Sequence, residues 1–78
     1  MNLVLAKVNE TLFSGEAESV TLPGAEGELT VLGHHEPLIT TLKAGTVIVR
    51  LGGELPDQTF AIQGGVLEVR ADGATVIL

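Results

Sequence analysis

Glycine and proline interrupt this chain at short, even intervals: Gly15, Pro23-Gly24, Gly33 to Pro37, Gly45, Gly52-Gly53 to Pro56, Gly64-Gly65 and Gly73. No other feature constrains the fold as tightly. Neither residue belongs in a helix interior, and breaks roughly 8–12 residues apart match the turns of an all-β sandwich or barrel. The segments between the breaks are rich in Val, Ile, Leu and Thr. Branched side chains of this kind are stiff at χ1 and pack well on a pleated surface. No segment carries a helical period.

Several segments alternate with period two. Val47, Val49 and Leu51 oppose Thr46 and Arg50; Leu67 and Val69 oppose Glu68 and Arg70; Val20 and Leu22 oppose Ser19 and Thr21; Leu29 and Val31 oppose Glu28 and Thr30. One apolar face and one polar face describe antiparallel strands with a solvated side. The spacing predicts strands at Glu16–Leu22, Gly27–Leu32, Thr46–Leu51 and Gly65–Arg70, and others at Leu3–Val8, Thr11–Phe13, Leu38–Leu42, Gln58–Ile62 and Ala74–Leu78. Asp72-Gly73 is a hairpin signal, so the last two of these runs in chain order should pair. The expected architecture is one domain over residues 1–78, an all-β, flattened antiparallel β-sandwich of about nine to ten short strands.

Composition narrows the class. Aromatic residues make up 3% of the chain, so the core of this 78-residue domain must be aliphatic. There are no cysteines, hence no disulfide framework and no thiolate metal site. An apolar share of 45% is enough to collapse and excludes a disordered tail. The formal net charge of −6 argues against nucleic acid or anionic lipid as direct partners, since both attract basic patches. A basic partner would be attracted. No apolar run approaches the roughly 20 residues that span a bilayer, so no direct membrane insertion is expected. The first residues read as strand rather than signal peptide, which makes a reducing compartment such as the cytosol the default expectation.

Some apolar residues do not fit an inward face. Leu32 opposes Leu29 and Val31; Leu38 and Ile39 are adjacent, so one must face outward; Ile48 shares the face of Thr46 and Arg50; Ile77 faces away from Val76. Several such residues on a small domain mark either an interface or burial on both faces within the sandwich.

The search for chemistry returns little. Ser14 and Ser19 are the only serines, and neither has the Gly-x-Ser-x-Gly frame of an activated nucleophile. His34, His35 and Glu36 are adjacent, but neighbours on a strand point to opposite faces, and a metal would need further ligands. The stretch Pro23 to Glu28 lacks the Lys-Ser/Thr ending of a phosphate loop and carries two carboxylates. Glu16/Glu18 and Glu26/Glu28 each share a face on a strand. They read as a solvated acidic surface or as a patch for a basic partner. Gly52-Gly53 and Gly64-Gly65 read as turn glycines that allow positive φ. The residues point to a non-catalytic interaction module with neither metal nor cofactor.

Five ordered blocks then become informative: Phe13-Ser14-Gly15; Pro23-Gly24-Ala25-Glu26-Gly27-Glu28-Leu29; His35-Glu36-Pro37-Leu38-Ile39-Thr40; Leu42-Lys43-Ala44-Gly45; and Gly64-Gly65-Val66-Leu67-Glu68-Val69. Together, over essentially the whole chain, they resemble the epsilon subunits of F-type ATP synthases, called delta in mitochondria. The resemblance implies a flattened ten-stranded β-sandwich at the foot of the gamma subunit, seated on the c ring. It implies a non-catalytic rotor subunit that couples ion translocation to ATP synthesis or hydrolysis, peripheral to the cytoplasmic face of a bacterial inner membrane or the equivalent organelle face. In that family the glutamate at the Glu28 position contacts the polar loops of the c ring. Those loops commonly carry an arginine, a good partner for a carboxylate. The histidine at the His35 position lies near the stalk contacts. Leu32, Leu38 and Ile39 join Glu28 and His35 as the expected partner-binding residues. Gly33-His34-His35 departs from the usual Pro-Gly-His, and Ala44 stands where proline is common. Family members usually continue into a two-helix C-terminal domain, which this chain, ending at Leu78, is expected to lack. The competing reading is a free-standing β-sandwich that binds another protein or a small ligand. A metal-dependent enzyme built on His34, His35 and Glu36 is a third.

Overall fold

Three of the expected breaks, at Gly15, Gly45 and Gly64-Gly65, do not break the chain. The computed structural model describes residues 1–34 and 36–78, and all its regular elements are strands. They are β1 (Asn2–Lys7), β2 (Glu10–Glu16), β3 (Ser19–Gly24), β4 (Gly27–Leu32), β5 (Leu38–Arg50), β6 (Gln58–Arg70) and β7 (Gly73–Ile77). The runs expected at Leu38–Leu42 and Thr46–Leu51 form one 13-residue strand, and so do those at Gln58–Ile62 and Gly65–Arg70. The expected nine strands therefore become seven among the described residues.

Glycine bends these strands instead of ending them. Gly64 and Gly65 have φ near +153° and +152°, backbone that residues with a Cβ rarely adopt. A Cβ on Gly65 would also lie 2.6 Å from the carbonyl oxygen of Ile77. At Gly45 a Cβ would lie 2.9 Å from Cβ of Pro23, so that glycine lets β3 approach. Pairing of β5 with β6 runs in unbroken register from Leu38↔Val69 to Val49↔Gln58. The core-facing residues nevertheless change parity at the bends. Leu42 and then Val47 are buried on β5, and Ile62 and then Leu67 on β6, with more open residues between. A slip of one residue turns the opposite face of a strand toward the core. The β5–β6 ribbon makes that slip in both strands at once.

The ribbon thereby serves two layers. The sheet order is β2-β1-β7-β6-β5-β3-β4. The first layer contains β2, β1, β7, the end of β6 and the start of β5; the second contains the start of β6, the end of β5, β3 and β4. Their inner faces share one aliphatic core, with Leu3, Leu5, Val20, Leu22, Val31, Val47, Val49, Leu67 and Val76 fully buried. Burial of each such side chain is worth about 1.5–3 kcal/mol, which is how a chain without disulfides or large aromatic content holds together.

Other expectations fare variously. Val66–Arg70 and Gly73–Ile77 pair as the hairpin signal anticipated, but the two-residue turn is Ala71-Asp72 and Gly73 already belongs to β7. Gly52 and Gly53 do lie at a turn with positive φ, closed by Leu55 N–H donating to the Gly52 carbonyl. The corner expected at Gly15 falls instead at Ala17-Glu18: Gly15 continues β2, and the chain turns where Ala17 N–H donates to the Met1 carbonyl. Pairing is antiparallel throughout except for β1 with β7, which is parallel.

Candidate docking faces

The outward face of the first layer is mixed in one row and largely apolar in the next. Cross-strand register places Val4, Thr75, Glu68 and Ile39 in one row, and Ala6, Ile77, Val66 and Thr41 in the next. Residues directly opposite on neighbouring strands share a face and touch. Ile39 is 71% exposed, Ile77 52% and Val66 42%. Val4 and Ala6 lie half-buried beside them. The rim is polar. Arg70 Nη1 donates to Glu68 Oε1 at 3.0 Å and to Thr75 Oγ1 at 2.9 Å, and its Nε faces Asp72 Oδ1 at 3.4 Å.

The outward face of the second layer is built otherwise. Thr30, Thr21, Ile48 and Thr59 form a row across β4, β3, β5 and β6; Leu32, Ser19 and Arg50 form the row beside it. Ser19 and Thr21 are buried although they point outward, contrary to the alternation that placed them in solvent. Arg50 folds over Thr21. Its Nη1 donates to Thr21 Oγ1 at 2.7 Å, and Thr21 Oγ1 shares a 2.9 Å hydrogen bond with Thr30 Oγ1. Asp57 stands 4.0 Å from Arg50 Nε. Ile48 is half-buried here rather than exposed.

The expected contact residues divide between these surfaces. Ile39 faces outward from the first layer, while Leu38 turns inward against the core and is half-buried. Leu32, 57% exposed, and Glu28 lie on the outward face of the second layer, at opposite ends of β4. Four residues of strand separate them by roughly 13 Å. Glu28 is the second residue of β4, opposite Pro23 and close after the turn Ala25-Glu26. That turn is tied to β5 by Ala25 N–H donating to the Thr41 carbonyl at 3.0 Å, so the carboxylate stands on a braced corner. His35 lies outside the described residues.

Val66 was missed in the sequence, although its parity with Glu68 and Arg70 already placed it outward. Val8 and Leu55 are also exposed, in the β1–β2 and β5–β6 connections. Of the candidate nucleophiles, Ser14 is exposed on β2 and Ser19 is buried. Among the described residues, no group of three or more His, Asp or Glu side chains could hold a metal ion. His34 adopts φ of 63° in the turn after β4. No helix among the described residues is long and apolar enough to cross a membrane.

A family model described as "ATP synthase, Delta/Epsilon chain, beta-sandwich domain" matches residues 1–78. The chain belongs to this family. Among ATP synthase epsilon chains, that of Herminiimonas arsenicoxydans is 43% identical over 99% of this chain and 55% of its own length. The epsilon chain of Caulobacter vibrioides is 40% identical over 99% of this chain and 87% of its own. A like fold also occurs in a solved structure. A chain in the cryo-EM structure of the Euglena gracilis mitochondrial ATP synthase, containing OSCP, F1 and the c-ring, superposes with a TM-score of 0.87 at 26% identity, over 96% of this chain and 48% of that one. The chain thus spans about half the length of several proteins it matches.

Proposed function

We propose that this domain is part of a rotor subunit in the central stalk of an F-type ATP synthase. In this reading it joins the gamma subunit to the c ring, couples ion translocation to ATP synthesis or hydrolysis, and carries no catalytic group itself. The observation that carries the reading is the apolar patch of Ile39, Val66 and Ile77 on an acidic domain whose relatives are epsilon chains. An exposed patch of that kind on so small a unit is an interaction surface. The like-folded chain from the Euglena assembly, which contains F1 and the c-ring, supports the same context.

The roles divide along the geometry. The apolar patch docks the gamma shaft by burying area. Glu28, on its braced corner, meets a basic side chain of the c-ring loops, where a charge-assisted hydrogen bond fixes orientation. His35, with Leu32, completes the contacts around the loop between β4 and β5, and Leu38 supports Ile39 from within. The domain is peripheral, held on the F1 side by its partners, at the cytoplasmic face of a bacterial inner membrane or the equivalent organelle face.

Co-purification tests the reading. The tagged protein should bring down gamma and c subunits from solubilised membranes, and its consistent absence from the assembled synthase would remove the proposal. Within the complex, Glu28→Lys should weaken ATP-driven ion pumping while the domain stays folded. Unchanged pumping would take Glu28 out of the ring contact.

A further inference from the structure

The start of β5 is an open edge. On one side, Leu38 to Lys43 pair with Gly64 to Val69 of β6. On the other, β3 reaches β5 at Leu42 and again at 48–50, and among the described residues no strand lies beside 38–41. The bond recorded on that side runs from Ala25 N–H to the Thr41 carbonyl. In a regular antiparallel ladder the N–H and C=O of one residue point the same way, and residues two apart point alike. Since Thr41 faces away from β6, so do the N–H and C=O of Ile39. The same residue is 71% exposed through its side chain. A groove of about 510 Å³ opens beside it, lined by Pro37, Leu38, Glu68 and Arg70 among others. Glu68 and Asp72 carry two negative charges here against the single positive charge of Arg70, so the rim keeps a net negative charge.

We propose that a partner segment in extended conformation adds as a short strand beside Ile39, ending where the Ala25 N–H already holds the Thr41 carbonyl, with an apolar side chain against Ile39 and a basic one near Glu68. Main-chain bonds to an open sheet edge give such addition its affinity, and the flanking side chains select the partner. This rests on the rotor reading and specifies how one face of it engages: by backbone pairing at Ile39 as well as by apolar contact at Val66 and Ile77. The charge at the rim favours a basic segment, and the short unpaired stretch limits pairing to a few residues.

Amide-resolved hydrogen exchange on the protein alone and in its assembled complex provides the test. The Ile39 amide should exchange freely in the isolated protein and slow by on the order of a hundredfold in the complex, as a newly paired amide does. An Ile39 rate unchanged between the two states, in protein that does enter the complex, overturns the edge pairing and leaves the rotor reading standing. Failure to enter the complex at all defeats both. Ile39→Pro sharpens the result, because proline is tolerated on an edge where the N–H faces outward. It should preserve the denaturation midpoint of the domain yet weaken assembly by about tenfold, near the worth of one lost main-chain bond. Assembly of a folded Ile39→Pro protein at wild-type affinity would also overturn the proposal. Should Ile39→Pro fail to fold, the exchange rate of the unsubstituted protein decides alone.

Discussion

The two outward faces of this sandwich solve the problem of meeting water in opposite ways. In the second layer, polar groups on the surface satisfy one another: Arg50 covers Thr21, Thr21 bonds Thr30, and Ser19 and Thr21 end up buried. In the first layer, Ile39, Val66 and Ile77 stand exposed, and the polar cluster of Arg70, Glu68, Thr75 and Asp72 fills one end of the face without covering them. A buried hydroxyl costs free energy unless it is hydrogen-bonded, so the second face is complete only because its network closes. The first face has no such closure, since apolar atoms can be satisfied only by being covered. The contrast shows that hydropathy alone does not mark an interface. Ile48 lies on the face finished by threonine and arginine and is half-buried, whereas Ile77 remains open.

The comparison breaks most severely if the bend that separates the layers is removed. Gly65→Val should destabilise the domain by about 3 kcal/mol or more, from backbone strain and crowding together. The strain arises at φ +152° and the crowding at the carbonyl of Ile77. Urea denaturation followed by circular dichroism measures it. A midpoint within error of wild type would mean that the ribbon can bend without a glycine there. For a domain of this size, a loss of that order approaches the whole of its stability.

Closure of the second face is tested by Thr21→Val, which keeps shape and removes the hydroxyl that joins Arg50 to Thr30. The side chain of Arg50 is 41% exposed and can turn to water, so the expected loss is about 1 kcal/mol rather than the larger cost of a stranded buried charge. Denaturant titration of the single variants Thr21→Val and Thr30→Val and of the double variant would show coupling between the two hydroxyls. Strict additivity would mean that the network is only a set of neighbours. The exposed face should behave differently. Ile77→Ser should change the stability of the isolated domain by no more than about 0.5 kcal/mol, and should lower recovery with partner subunits. A large stability loss without any assembly defect would assign Ile77 to the core rather than to a docking surface.

The sequence made most of the fold legible because β structure depends on two local signals, side-chain alternation and turn chemistry. Val47/Val49, Leu67/Val69 and the hairpin between β6 and β7 followed from these alone. What misled was the double meaning of glycine. Gly52 and Gly53 turn the chain, whereas Gly45, Gly64 and Gly65 relieve contacts inside long strands. Only the neighbouring strand, supplied by distant sequence, decides which meaning applies. Burial of Thr21 was illegible for the same reason, because its cover is Arg50, 29 residues away in the chain. Of the expected docking residues, Leu32 and Ile39 were legible as outward by parity and are exposed, whereas Leu38 turns against the core. Their division between two faces required the order of strands in the sheet.

The smallest effect concerns the rim of the open face, and it tests whether charge there stabilises the fold or serves recognition. Arg70 meets Glu68, Asp72 and Thr75 at once, with the side chains of Arg70 and Glu68 exposed by 40% and 51%. Water competes for each of these contacts, and exposed pairs contribute about 0–1 kcal/mol. Glu68→Gln leaves Asp72 and Thr75 to hold the guanidinium, so the loss in stability should be at most about 0.5 kcal/mol and should fade as salt screens the pair. Thermal melts at low and high ionic strength measure that difference. If the cluster were a structural brace, the loss would exceed this value and persist in salt. If the rim instead selects a basic partner, the domain will melt as before, while association slows and loses part of its dependence on ionic strength. That pairing of an unchanged melt with an altered on-rate separates a surface that holds the fold from one that meets another molecule.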